Sequence, residues 1–255
     1  MMKTTKAAAK AAAFLKQKKY RTEIGEYLVE GLRNVEEAVE YAITKMIFYV
    51  PSDDPRLNKL LQRAAEKSIA VSETFEGYMA QISDTATPQG VIGVCKMPKT
   101  KLADVFRPGK MVLVLDRIQD PGNLGTIIRT ADAAGIGGIV SLVGTVDAYN
   151  PKVVRSAMGS IFHIPLAENV TEAEFLSCAL EHRYITVATA MEGGTSIFDA
   201  RPQDKVALIV GNEANGVSTT LLQSANARYY IPMKGRAESL NVAMAAGIIM
   251  FELNK

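Results

Sequence analysis

From Val114 to Val140 the chain reads VLDRIQDPGNLGTIIRTADAAGIGGIV: an apolar strand, a turn built on Asp120-Pro121-Gly122, a helix, and a second strand after glycines. A strand-helix-strand unit of this length places two parallel strands in one sheet with the helix crossing over a face, and no other feature constrains the fold as much. Leu124, Ile127, Ile128 and Ala131 fall at i, i+3, i+4 and i+7, an apolar stripe that should face the sheet. Arg129 points roughly opposite, about 140° around the helix from Leu124, where it is free to serve a ligand or to meet solvent. Asn123 stands where an N-cap belongs, and a helix N-terminus at that point also suits an anion.

The rest of the chain follows the same plan. Short β-rich runs alternate with helix-length amphipathic runs in both halves, which predicts α/β layering with parallel sheets. Strands are expected at 27–29, 46–50, 69–72 and 91–95, with helices near 31–44, 55–67 and 73–82, a small α/β/α sandwich. The segment MPKTKLADVFRPGK at 97–110 holds two prolines and a glycine and lacks strong periodicity, so two domains are expected, 1–107 and 108–255. In the second, strands are expected at 111–115, 138–143, 161–164, 184–189, 205–210 and 228–232.

Length and composition narrow the class. A chain of 255 residues, 48% hydrophobic and 22% charged, can bury a sizeable core and is neither disordered nor a disulfide scaffold. Cys95 and Cys178 stand far apart and suggest no disulfide or zinc framework, and neither His163 nor His182 has metal-ligand spacing, so no metal site and a reducing cytoplasmic location are expected. No apolar run approaches the ~18 residues that span a bilayer. The opening MMKTTKAAAKAAAFLKQKKYR threads basic residues through its alanines, unlike a secretory signal.

That opening is also the most uneven in charge. Residues 1–21 hold seven lysines or arginines and no acid; residues 1–107 carry 17 basic and 13 acidic side chains, net +4, and the remainder is net −2. Such an arm can attract a phosphate backbone without reading sequence, or it can be a solvated Ala/Lys helix.

Two further segments carry chemistry. In VALIVGNEANGVS, 206–218, an apolar strand runs straight into a Gly-rich turn containing Glu213, and ligands of open α/β sheets bind beyond the carboxyl ends of strands. Gly211 and Gly216 there either admit a ligand close to the backbone or satisfy a tight turn. Neither a P-loop nor a spaced GxGxxG follows a strand, which disfavours triphosphatases and dinucleotide enzymes. In IPMKGRAESLNVAMAAGIIMFEL, 231–253, a polar loop leads to a helix opened by Ser239 or an adjacent residue, apolar all round from Leu240 to Phe251 and so expected to be buried on every side, in a core or at a subunit interface.

In this order and context the three segments resemble the signature motifs of the SpoU (TrmH-type) branch of the SPOUT RNA methyltransferases, a resemblance that covers 108–255. Asn123 and Arg129 in NLGTIIR match the first motif, Gly211, Glu213 and Gly216 in GNEANG the second, and Ile231-Pro232-Met233 with Ser239-Leu240-Asn241 the third. KKYRTEIGEYLVEGLRNVEEAVE and SDTATPQGVIGV are similar to the family's N-terminal RNA substrate-binding domain, and NPKVVRSAMGSIFHIP to a stretch near the RNA-facing side, with Arg155 and Gly159 in matching places.

The resemblance implies methyl transfer from S-adenosyl-L-methionine to a ribose 2′-hydroxyl of RNA, ribosomal rather than transfer RNA. It also implies a homodimer and a catalytic domain whose parallel sheet holds a deep trefoil knot. The implied cofactor contacts are Thr189, Gly211, Ile231 and Leu240; Arg129, with Asn123, Glu213, Ser239 and Asn241, completes the catalytic set. A guanidinium, with its pKa above about 12, is a poor general base, so Arg129 reads best as a cation that orients the ribose-phosphate and favours alkoxide character. The competing expectations are a tRNA methyltransferase and a non-catalytic RNA-binding or ribosome-assembly factor on the same fold.

Overall fold

The strand-forming runs of the first half are strands in the computed structural model, which describes residues 2–190, 193–200 and 205–254. In chain order they and their helices are β1 (Met2–Lys3), α1 (Lys6–Phe14), α2 (Lys18–Ile24), β2 (Glu26–Glu30), α3 (Leu32–Tyr41), β3 (Thr44–Tyr49), α4 (Pro55–Glu66), β4 (Ala70–Glu73), α5 (Glu76–Ile82) and β5 (Val91–Lys96). They build a five-stranded sheet of order β1-β4-β3-β5-β2. The parallel expectation holds for β1-β4 and β3-β4 but not for β5, which runs antiparallel to both β2 and β3. The cause is local: α5 is followed by the loop 83–90 rather than by a crossover, so β5 enters the sheet in the opposite sense. Leu28, Phe48, Ile92 and Val94 of the sheet pack with Ala9, Ala12 and Leu15 of the N-terminal segment and Met79 and Ile82 of α5.

The second half begins with β6 (Val112–Leu115), α6 (Pro121–Ala133) and β7 (Gly138–Leu142), the expected strand-helix-strand unit. The stripe Leu124, Ile127, Ile128 and Ala131 is fully buried. The helix nevertheless starts earlier than its pattern suggests. Asp120 is the N-cap, accepting from the Asn123 N–H at 2.8 Å, and Pro121, with a fixed φ and no donor to lose, fills the first turn. Asn123 is therefore inside the helix and its side chain is not spent on capping.

After β7 the chain returns to the N-terminal unit as α7 (Pro151–Ala157), packed on β2. The two compact units are Met1–Pro98 with Asp147–Phe162, and Lys99–Val146 with His163–Lys255. They do not follow a division at 107, because a discontinuous return of the chain leaves no mark in a Pro/Gly-rich stretch. What holds 147–162 is explicit: Asp147 accepts from the buried Arg21 guanidinium, the Tyr27 and Tyr149 rings lie 4.8 Å apart, and Arg155 pairs with Asp84 at 3.1 Å.

The remaining elements are β8 (Leu166–Val170), α8 (Glu172–Glu181), β9 (Ile185–Thr189), β10 (Thr195–Ser196), β11 (Val206–Val210), α9 (Thr219–Ser224), β12 (Ala227–Tyr230) and α10 (Val242–Leu253). The strand expected at 161–164 is replaced by a 3-10 turn at Ser160–Phe162, and the ladder with β7 starts at the Pro165 carbonyl, which accepts from the Ile139 N–H at 2.9 Å, Pro165 having no N–H of its own to give. The sheet has seven strands in the order β10-β12-β9-β11-β6-β7-β8, and every pair in it is parallel. Val112–Leu115 and Val206–Val210 are buried throughout, the continuous apolar runs that a sheet covered on both faces requires.

The last helix departs from expectation. Its N-cap is Asn241, whose Oδ1 accepts from the Ala243 and Met244 N–H groups. Ala243, Ala246, Ile249, Met250 and Leu253 are buried, with α6 among the elements they meet, but Met244, Ile248 and Phe251, spaced i, i+4, i+7, remain 59%, 38% and 53% exposed. The chain alone does not bury this helix on every side.

Candidate active site

The second and third motif segments meet at the carboxyl ends of β9, β11 and β12, on a cleft of about 880 Å³, and the first reaches them through Asn123. Thr189 closes β9, Gly211 follows β11, Ile231 follows β12 and Leu240 precedes α10; all four line this cleft, as do Glu213, Ser239 and Asn241. Seven of the nine residues singled out in the sequence therefore share one wall system. Asn123 joins them by hydrogen bonding, whereas Arg129 does not line the cleft.

The turn after β11 folds onto itself. A Cβ on Gly211 would lie 2.1 Å from the carbonyl carbon of Gly216 and the nitrogen of Val217, so any larger residue would displace the backbone that floors the cleft. Gly216 has φ +64°, a left-handed conformation. The two glycines thus have different causes: close approach of the chain to itself at Gly211, a positive φ at Gly216. Asn212, a residue outside the matched motif positions, locks the turn by accepting from the Ala214 and Asn215 N–H groups and donating to the Arg117 carbonyl at 2.8 Å. Its signal is present in GNEANG, since asparagine commonly accepts from backbone two residues on.

A relay of side chains ties the three motifs together. Asn123 donates to Glu213 at 3.0 Å, and Asn241 donates to the Oδ1 of Asn123 at 3.0 Å. Longer contacts of 3.4 and 3.5 Å run from the Gln119 and Asp120 N–H groups to the same carboxylate. Burial works to raise the Glu213 carboxyl, but the Asn123 amide and the backbone N–H groups of Glu213, Gln119 and Asp120 outweigh it, and the group titrates below the ordinary glutamate value. It is ionised at neutral pH and accepts only.

The loop 232–240 offers a different resource. Among the described residues its backbone groups have no hydrogen-bond partner, and Met233, Glu238, Ser239 and Leu240 line the cleft. Ser239 likewise bonds to no described residue. Among the described residues the charged ones that line the cleft are Glu213, Glu238 and Arg228, and Arg228 is engaged with the Leu222 carbonyl at 2.9 Å. The lining is therefore net acidic and rich in backbone polar groups.

Arg129 is exposed on α6 and has no hydrogen-bond or ion-pair partner among the described residues. In the N-terminal unit, Arg155 is not a free cation. It pairs with Asp84 and lies 3.7 Å from the buried Glu30, whose carboxylate accepts from Ser83, Thr85 and the Asp84 N–H. Glu30 and Arg155 thus brace the start of the loop 83–90. Gly159 has φ +95° and lies against Glu37.

His182 stands one helical turn beyond Cys178, its Nδ1 2.9 Å from the Cys178 carbonyl and 3.6 Å from the Sγ. Among the described residues no cluster of three or more potential metal ligands forms.

Known proteins match the whole chain. Residues 110–251 fit the model of the SpoU rRNA Methylase family, and 6–93 fit that of an MRM3-like substrate binding domain. The 23S rRNA (guanosine(2553)-2′-O)-methyltransferase of Bacillus subtilis is 39% identical over 240 residues, 94% of this chain and 92% of the relative. The 23S rRNA (uridine(2479)-2′-O)-methyltransferase of Streptomyces viridochromogenes is 31% identical, covering 94% and 86%. The AdoMet-bound crystal structure of an rRNA methyltransferase from Sinorhizobium meliloti superimposes with a TM-score of 0.88 at 34% identity, over 99% of this chain and 96% of that one.

Proposed function

The chain belongs to the SpoU rRNA methylase family, and from that premise we propose that it transfers a methyl group from S-adenosyl-L-methionine to a ribose 2′-hydroxyl of ribosomal RNA. The observation that carries this reading is the convergence of Thr189, Gly211, Ile231 and Leu240 on one cleft, with the Glu213-Asn123-Asn241 relay beside it. The cofactor fits what is there. A cleft of about 880 Å³ has the size of a small-molecule site, its backbone groups at 232–240 can read a nucleoside and an amino-acid end, and its acidic lining favours a sulfonium cation. When bound, S-adenosyl-L-methionine supplies an electrophilic methyl group.

The protein's own share is orientation. Gly211, Ile231 and Leu240 hold the cofactor through backbone atoms, with Thr189 at the edge. Glu213, held ionised, fixes the Asn123 amide, and Asn241 fixes both Asn123 and the start of α10, so the loops around the reacting groups stay in register. Ser239, which lines the cleft, bonds the ribose. Displacement needs the 2′-oxygen in line with the methyl, and restricting the reactants to that geometry accounts for much of the rate. Arg129, a cation without a partner among the described residues, is the group that meets the ribose-phosphate and stabilises negative charge on the attacking oxygen.

The unit containing 6–93 holds the RNA, with Glu30 and Arg155 bracing its loop. The division of labour is an RNA-binding unit, Met1–Pro98 with Asp147–Phe162, and a catalytic unit, Lys99–Val146 with His163–Lys255. A second copy of the chain covers Met244, Ile248 and Phe251: three large apolar side chains in one row on a terminal helix favour burial by roughly 1.5–3 kcal/mol each. The trefoil knot of the family completes the catalytic part, supported by its all-parallel sheet and by α10 returning against α6 and β11. The reaction belongs in the cytoplasm, where ribosomal RNA is made; no helix of the described residues is long and apolar enough to cross a membrane.

Methyl-labelled S-adenosyl-L-methionine incubated with separate unmodified ribosomal and transfer RNA transcripts tests the substrate class. Label in ribosomal RNA is expected; label in transfer RNA alone would overturn it, and RNA binding without transfer would point to a binding factor.

A further inference from the structure

Seven basic residues in the first 21 do not make seven surface charges. Arg21 is 2% exposed, bound to Asp147 and to the Leu15 and Lys16 carbonyls. Lys16 is spent on the carbonyls of Gln81 and Ser83 at the end of α5, and Lys3 lies opposite Glu73 in the β1-β4 register. Lys6, Lys10, Lys18 and Lys19 remain, all exposed and none with a carboxylate partner among the described residues.

The fold gathers three of them, Lys6, Lys10 and Lys19. Phe14 at the end of α1 stacks on Tyr20 of α2, ring centroids 4.7 Å apart at 28°. The Lys10 ammonium lies 5.9 Å from the Phe14 ring and that of Lys19 lies 6.0 Å from Tyr20. Lys6 and Lys10 are one turn apart on the same face of α1. A merely solvated helix offsets like charges with acids three or four residues away; around Lys6, Lys10 and Lys18 the sequence supplies none, and its first acid, Glu23, lies four residues beyond Lys19. The row repels itself until a polyanion neutralises it.

We infer that this α1-α2 surface is where the phosphate backbone of the RNA docks on the substrate-binding unit, an inference that rests on RNA being the substrate. The surface reads charge, not sequence. An anionic membrane fits less well, because the apolar side of α1, formed by Ala9 and Ala12, is buried within the unit and leaves nothing to insert.

The full chain and an unmodified 23S rRNA transcript provide the test, with binding measured between about 50 and 200 mM salt. Each phosphate left without its lysine should flatten the log-log salt slope by about 0.9 and weaken binding about 8-fold at 0.1 M salt, so Lys10→Gln with Lys19→Gln should cost about 60-fold. Lys59→Gln, an exposed lysine on α4, serves as the control and should change neither, and binding of S-adenosyl-L-methionine and the melting temperature should be unchanged in every variant. An unaltered slope in the double variant, or an equal effect of Lys59→Gln, overturns the assignment. So does loss of binding to phosphatidylserine vesicles with RNA binding intact, which would make the partner a membrane. If the wild type itself neither binds nor methylates ribosomal RNA, the underlying reading fails instead.

Discussion

Replacing Asn123 by aspartate changes one group in the relay and reverses one interaction. Asn123 donates to Glu213 at 3.0 Å and accepts from Asn241 at 3.0 Å. In Asn123→Asp the acceptor survives, the donor is lost, and a second carboxylate faces Glu213. Loss of a hydrogen bond to a charged acceptor costs about 1.5–3 kcal/mol, with the lower end expected at an exposed site. Two like charges about 3 Å apart add roughly 1–3 kcal/mol at an effective dielectric of about 40–80. Together these give about 2.5–6 kcal/mol at neutral pH, or roughly 5–25 °C in melting temperature for a unit of this size.

The pH dependence separates this from simple damage. In the wild type the Glu213 carboxyl is lowered from 4.5, so its contribution is present above the unfolded value and is lost as the pH falls through the folded one. In the variant the pair is raised instead, and protonation of one member removes the repulsion and restores a donor. The penalty measured by denaturation at about pH 7.5 should therefore shrink by at least half at about pH 4.5. An equal penalty at both values, or none at neutral pH, would refute the relay as described.

Four other outcomes follow from named contacts. Ile248→Glu on the exposed row of α10 should convert a dimer to monomers in sedimentation velocity without unfolding the chain; a wild type that sediments as a monomer contradicts the proposed partner surface. Burial pushes the Cys95 thiol up to about 12 against the opposing Thr44 bond, so iodoacetamide at neutral pH should leave it unmodified until denaturant is added, as peptide mass mapping can check. Arg21→Ala leaves Asp147 without its buried cation and should destabilise the N-terminal unit by about 3–5 kcal/mol, whereas Arg21→Met with Asp147→Leu should recover most of that in a urea melt. Gly211→Ala should abolish cofactor binding in calorimetry, since no methyl group fits 2.1 Å from backbone.

Much of this architecture is legible in the sequence because its signals are local. The stripe on α6, the apolar runs of β6 and β11 and the turn at GNEANG each declare their structure within a dozen residues. What the sequence hides depends on distant partners. Nothing near Asn123 says that Asp120 takes the cap and frees its amide for Glu213, 90 residues away. The antiparallel entry of β5 depends on a loop, and the return of 147–162 to the first unit depends on a buried pair 126 residues apart in sequence. The row Met244, Ile248, Phe251 reads as buried, in a core or at an interface, because hydrophobicity alone does not tell which faces of a helix the rest of the chain covers.

The central claim is that this chain methylates a ribose oxygen and that Arg129 takes part in the transfer. The direct measurement is transfer of a labelled methyl group to unmodified 23S rRNA by wild type and Arg129→Ala, followed by alkaline hydrolysis. Label retained in alkali-resistant dinucleotides for the wild type, and lost in a variant that still binds S-adenosyl-L-methionine, is the predicted result. Label released as mononucleotides would place the methyl on a base, and an undiminished rate for Arg129→Ala would remove that residue from the reaction.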